Sequence, residues 1–165
     1  MKKVLTIVLL LALVLTAACK PANPNPAPGP SQDQVGDLKE ALQEIVEKAE
    51  MKDLLESGML EEVKAGEAGF LIGAETVDGT YTEAYSLQPM INVHPFAMGL
   101  FRVDQGQDPQ VFAKEMKDKA DLRKWICVGA DSVYVATRGQ VVLFVMGSTE
   151  EVQAIAGAAQ YDQVG

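Results

Sequence analysis

Residues 132–159 read SVYVATRGQVVLFVMGSTEEVQAIAGAA. Two apolar runs, Ser132–Thr137 and Val141–Met146, are separated by Arg138-Gly139-Gln140, a glycine-centred turn too short for anything but a hairpin. The second run, VVLFVM, has no polar position on either face of a period-two pattern. Such a strand belongs in the middle of a sheet that is covered on both sides. Ser148 and Glu151 then stand three apart at the head of a further apolar pattern. That spacing is a capping box: the serine takes an amide three residues on, and the glutamate reaches back. The helix it opens places Val152, Ile155, Ala156 and Ala159 on one face.

Working outward from this stretch, Phe96–Val103 (FAMGLFRV) reads as another strand, and Asp104-Gln105-Gly106-Gln107 as a turn. Asp108 and Pro109 supply a cap and a first-turn proline for a helix with Val111, Phe112 and Met116 that ends near Lys119. Lys124–Val128 (KWICV) reads as strand. From Gln34 to Ser57, Leu38, Leu42, Ile45, Val46 and Ala49 recur at three and four residues among Glu40, Glu44, Glu47 and Lys48. This predicts one amphipathic helix stopped by Gly58, its acidic side facing water. Between them, Phe70-Leu71-Ile72 reads as a strand or buried turn, and Val77-Asp78-Gly79-Thr80 as a turn. The order predicts an α+β domain over 35–165: a small, mainly antiparallel sheet with about three packed helices.

The first 34 residues have another purpose. Lys2 and Lys3 precede an apolar run, Val4–Leu15, broken only by Thr6, and the small residues Thr16, Ala17 and Ala18 lead to Cys19. This is the layout of an export signal over 1–18, and the run of about a dozen residues is shorter than the roughly twenty needed to span a bilayer. Leu15-Thr16-Ala17-Ala18-Cys19 resembles the lipobox of bacterial lipoproteins, with Thr16 where leucine is usual. The resemblance implies cleavage between Ala18 and Cys19, with a diacylglycerol on the cysteine sulfur and palmitate-like acyl chains holding the protein to the outer face of the plasma membrane. Two acyl chains meet the dual-signal requirement for stable anchoring. Five of the eight prolines fall in 21–30. Residues 19–34 therefore read as a proline-rich linker, and fifteen extended residues would reach about 45 Å.

The chain has 165 residues, 23 acids, 14 lysines and arginines, and a formal charge of −9. Loss of residues 1–18 would remove Lys2 and Lys3 and take the charge to −11. Phosphate repels such a surface, which argues against nucleic acid as a partner. With Cys19 lipidated, Cys127 has no disulfide partner, and one cysteine with one histidine cannot build a structural zinc site.

Few residues suggest chemistry. His94, the single histidine, has no second ligand or acid/base partner nearby in sequence, though a remote carboxylate could meet it. Cys127, inside Trp125-Ile126-Cys127-Val128, reads as a buried structural thiol and Trp125 as core, with Arg123 and Lys124 able to form a rim. Met90, Met98, Met116 and Met146 are scattered and read as packing rather than copper ligands. Asp104, Gly106 and Asp108 lack the remaining ligands of a calcium loop. Nucleophile-elbow, phosphate-loop and dinucleotide motifs do not occur in the sequence.

The lipobox-like start, PMINVHPFAMGLFRV and above all RKWICVGADSVYVATRGQVVLFVM resemble small Gram-positive cell-envelope lipoproteins catalogued only as a domain of unknown function. The likeness covers roughly Leu87 to Ala156 and the amino-terminal layout. It implies an exported, lipid-anchored α+β domain and assigns no catalytic, cofactor or metal residue. The expectation is a non-enzymatic module binding an envelope protein or a peptidoglycan-associated partner. The alternatives are a small-ligand or cation carrier using the Pro89–Phe96 loop, and a hydrolase using His94. Replacing the lipid-bearing residue, Cys19→Ala, is expected to abolish the acyl mass increment and release the protein from the membrane fraction, read by mass spectrometry and fractionation.

Overall fold

The computed structural model describes residues 35–91 and 93–165. The signal segment, Ala18, Cys19 and the linker lie outside the described residues. Among the described residues no helix is long and apolar enough to cross a membrane.

In chain order the elements are α1 (Leu38–Lys48), α2 (Lys52–Ser57), β1 (Gly58–Glu62), α3 (Ala68–Ile72), β2 (Tyr81–Pro89), β3 (Ala97–Val103), α4 (Pro109–Lys119), β4 (Ser132–Arg138), β5 (Val141–Gly147), α5 (Thr149–Ala159) and β6 (Asp162–Gln163). The six strands form one antiparallel sheet, ordered β1-β2-β3-β5-β4-β6. The predicted α+β class holds, with five helices among the described residues where the sequence suggested about three.

β5 is the axis of this arrangement. Every residue from Val141 to Gly147 is buried. Val142, Phe144 and Met146 enter a core under α3 and α4 with Phe101, Phe112 and Met116. Val141, Leu143 and Val145 enter a second core under α1, α2 and α5 with Leu38, Leu42 and Ile155. The hairpin turns at Gly139, whose φ of 56° suits a two-residue connection that follows the strand twist. The capping box at α5 forms as read, with Ser148 Oγ accepting from Glu151 N and Glu151 accepting from Ser148 N at 3.0 Å.

Side chains fasten the ends of these elements. Asp108 caps α4 through Gln110 N at 2.8 Å, and Asp37 caps α1 through Glu40 N at 2.9 Å. Arg102 on β3 bonds Glu83 and the carbonyls of Val35 and Gly36, fixing the start of the described chain to the sheet. Burial of Glu115 opposes its ionisation, but the amides of Asp78 and Gly79 and the ammonium of Lys119 outweigh it and hold the carboxyl below its usual range. This clasp sets the turn that leads into β2.

Three sequence readings need correction. The predicted single helix over 34–57 is two, because Glu50 adopts φ 59° and turns α2 back so that Leu54 joins the second core. Phe70-Leu71-Ile72 is helical rather than strand. Lys124–Val128 is not a strand; it is an irregular loop, which carries Lys124 to the carbonyls of Phe70 and Leu71.

The two-sided role of β5 is measurable. Leu143→Ala is expected to cost about 2–5 kcal/mol and Phe144→Ala about 3–5 kcal/mol, each emptying a different core. Urea denaturation should show both midpoints falling with an unchanged slope.

Candidate functional site

α3 is too short to cover its end of the sheet, and a trough results. Its five residues bury Ala68, Gly69, Leu71 and Ile72, which leaves Phe70 pointing outward at 82% exposure. Gly69 packs so tightly that an added Cβ would lie 2.9 Å from Ala74 O. The helix stops at Gly73, in the left-handed region at φ 81°.

The carbonyls at this stop are claimed by the following loop. Asp121 N donates to Ile72 O at 2.9 Å. Lys124 Nζ donates to Leu71 O at 2.6 Å, Phe70 O at 3.3 Å and Gln88 Oε1 at 3.0 Å. The ammonium also lies 5.1 Å from the Trp125 ring centroid and 5.9 Å from that of Phe70. All three of its protons are therefore committed inside the protein. Burial pushes the Lys124 amine down to about 8. A lowered lysine in a cleft is a candidate nucleophile, but this one is a clamp: it ties α3 to β2 and the 121–125 loop.

Phe70 divides the trough into two compartments whose floor is shared by Gln88 on β2. One, of about 550 Å³, has Glu61, Glu62, Glu67 and Glu75 around Ser86. The other, of about 690 Å³, is walled by Met59, Pro89, Met90, Trp125 and Ile126, with Lys124 at its side. Both volumes fall in the range usual for ligand sites. Ile126 is 99% exposed, and Ile91 and Val93 continue the exposed apolar surface along the chain from Met90. An aliphatic side chain left in water forgoes about 1.5–3 kcal/mol of burial, so a cluster of them marks a contact surface.

The sequence reading held for Trp125, which is buried, and for Met98, Met116 and Met146, which pack in the cores. Two readings fail: Met90 is exposed, and Cys127 is an exposed thiol. The irregular loop turns the side chains of Ile126 and Cys127 outward, where a strand would have buried them. Arg123 joins Trp125, Ile126 and Cys127 around a smaller hollow of about 260 Å³. Sequence reasoning missed Phe70, Met59, Ser86 and the four glutamates; glycines flanking an apolar triplet were the only local sign that a short helix stood there.

His94 does meet a remote carboxylate. Its Nε2 lies 2.5 Å from Glu151 Oε1, and the pair is half-buried. Glu151 is largely buried, which opposes its ionisation, yet the hydroxyl and amide of Ser148 and then His94 hold it below the usual range. Ser148 Oγ donates to Glu151 Oε2 at 2.7 Å. Serine, histidine and glutamate thus gather, but the carboxylate sits in the middle. A hydrolytic triad needs the imidazole between hydroxyl and carboxylate, so that it can accept the serine proton. Here the carboxylate accepts from Ser148 and occupies Nε2 of His94. Among the described residues no three His, Cys, Asp or Glu side chains converge to hold a metal ion.

Neither a family model nor a curated protein nor a solved structure matches the chain.

The Lys124 clamp has a pH signature. Its folded pKa, about 8, lies below the ordinary 10.5, so the unfolded chain binds the proton more readily between those values. Stability is therefore expected to rise as pH climbs through that interval. NMR titration of the Lys124 Cε resonance should give a midpoint near 8, and Lys124→Met should remove that contribution to the slope of urea stability against pH.

Proposed function

We propose that this chain is a non-enzymatic binding module of the cell envelope, tethered by lipid on Cys19 to the outer face of the plasma membrane and engaging a protein through the trough beside α3. The observation that carries this reading is the apolar side chains left in water around a ligand-sized depression: Phe70, Met90 and Ile126. The lipobox-like start, the proline-rich linker and the likeness to envelope lipoproteins support the location. Arg102 binds the first described carbonyls, those of Val35 and Gly36.

Protein is a better occupant than a small metabolite on geometric grounds. The trough is open along its length, and its apolar walls continue onto exposed loops rather than closing over a cavity. The carrier reading rests on the Pro89–Phe96 loop, of which Pro89 and Met90 line the apolar compartment while its second proline, Pro95, does not. The hydrolase reading has only the His94–Glu151 contact, whose hydrogen-bond order serves the α5 cap.

A photoreactive benzoylphenylalanine placed at position 70 of the full chain in living cells is expected to form a discrete adduct with one envelope protein. The same group at Val111, exposed on α4, should not. No adduct at position 70, together with a saturable thermal shift on adding a small metabolite or divalent cation, would replace the module with a carrier.

A further inference from the structure

Resting on the binding-module reading, we propose that the trough receives an extended, basic-and-apolar protein segment, which adds to the sheet as a strand beside β1. Toward α3 it presents one apolar side chain and one lysine or arginine, two residues apart.

The backbone argument starts at the sheet edge. Among the described residues β1 is the outermost strand, paired only with β2. Val63 N donates inward to Ala84 O at 2.9 Å. Amides alternate sides along a strand, so those of Leu60 and Glu62 point outward. Edge strands are commonly blunted by proline, lysine or a bulge. The segment GMLEE has neither residue, and its register with β2 is unbroken from Gly58 to Glu62. Such an edge can accept a further strand through main-chain hydrogen bonds, with alternate side chains giving selectivity.

The side chains select the occupant. Met59 and Glu61 share the α3 side of β1, and residues two apart on a strand are roughly 6.8 Å apart. Met59 walls the apolar compartment and Glu61 the acidic one. A partner strand in register therefore sets one side chain against Met59, Phe70 and Ile126, and the next but one against Glu61 and Glu75. Glu67 is partly engaged already, accepting from Lys64 N at 3.1 Å. Among the described residues Lys124 is the one cation lining the trough, and its protons are all committed to internal acceptors. The acidic compartment thus lacks a neutralising partner of its own. Ser86, 6% exposed, stands in the acidic compartment, and among the described residues no hydrogen bond engages its hydroxyl. A basic group arriving above it would leave that hydroxyl free to accept. A second copy of this chain, at −9, and an anionic membrane would both be repelled.

The test uses the full chain in nonionic detergent and Trp125, the sole tryptophan, as the reporter. The probes are acetylated, amidated nine-residue peptides in a threonine background, carrying Leu-Thr-Lys or Lys-Thr-Leu at the centre to cover both strand directions. One order is expected to shift Trp125 emission saturably and to protect the Leu60 and Glu62 amides from hydrogen exchange. It should bind at least tenfold more tightly than Leu-Thr-Glu or the adjacent Leu-Lys. Backbone N-methylation of the outward-pairing amides should abolish binding. Glu61→Gln with Glu75→Gln should reduce the lysine preference to within about twofold, whereas Glu44→Gln with Glu47→Gln on α1 should leave it intact. Equal binding of the glutamate peptide, survival of N-methylation, or no Trp125 response to either order overturns strand addition. A Trp125 shift on phosphatidylcholine vesicles with none on the peptides also overturns it, in favour of lipid contact. If the position-70 adduct forms in cells while the peptides fail, the module stands and only this mode of binding falls.

Discussion

The burial of β5 on both faces is the constraint from which the rest of the architecture follows. A strand with Val142, Phe144 and Met146 on one side and Val141, Leu143 and Val145 on the other cannot lie against water on either side. It therefore needs two helical layers. One layer has α1, α2 and α5 available; the other has α4 and the single turn and a half of α3. α4 covers the half of the sheet near β4 and β5, and the β1–β2 end is left to α3. The open trough follows from this unequal cover, and so does the emergence of Phe70 from a helix that must bury its other residues.

A helix of five residues has little stability of its own, because nucleation fixes several residues for each hydrogen bond gained. α3 is held instead by what meets its ends. Lys124 takes the carbonyls of Phe70 and Leu71, and Asp121 N takes that of Ile72. The clamp sets the height of Phe70 above the sheet, positions Gln88 beneath it, and brings Trp125 and Ile126 to the rim. One lysine thereby couples the 121–126 loop, α3 and β2. Its position also explains why the loop is irregular: a regular strand there would carry Lys124 away from the carbonyls it satisfies.

Where β3 begins and β5 ends, His94, Glu151 and Ser148 carry a comparable lesson about the order of contacts. The three residue types familiar from hydrolytic sites are within hydrogen-bond reach, and their chemistry depends on which lies in the middle. With Glu151 central, the network satisfies the start of α5 and ties the 93–96 segment to it. Residue type at a site is thus weaker information than the sequence of hydrogen bonds through it.

Elements whose signals are local could be read directly from the chain. The Gly139 turn, the Ser148–Glu151 box, the Asp108-Pro109 start of α4 and the unbroken apolarity of VVLFVM each act within a few residues, so the order strand, helix, hairpin, helix was legible. The lipobox-like seam at Cys19 is equally a property of sequence alone. Tertiary structure decided the remainder. β2 does not alternate cleanly, since Ser86 is buried within it, and its register shifts between Tyr81 and Glu83. α3 is capped by Lys124 and by Asp121 N, about fifty residues later. KWICV has strand composition yet lies in an irregular loop, where Lys124 reaches the carbonyls of α3. The trough, the exposed Cys127 and the proximity of Glu61 to Phe70 all depend on where distant segments meet, and a one-dimensional pattern of burial carries no record of those meetings.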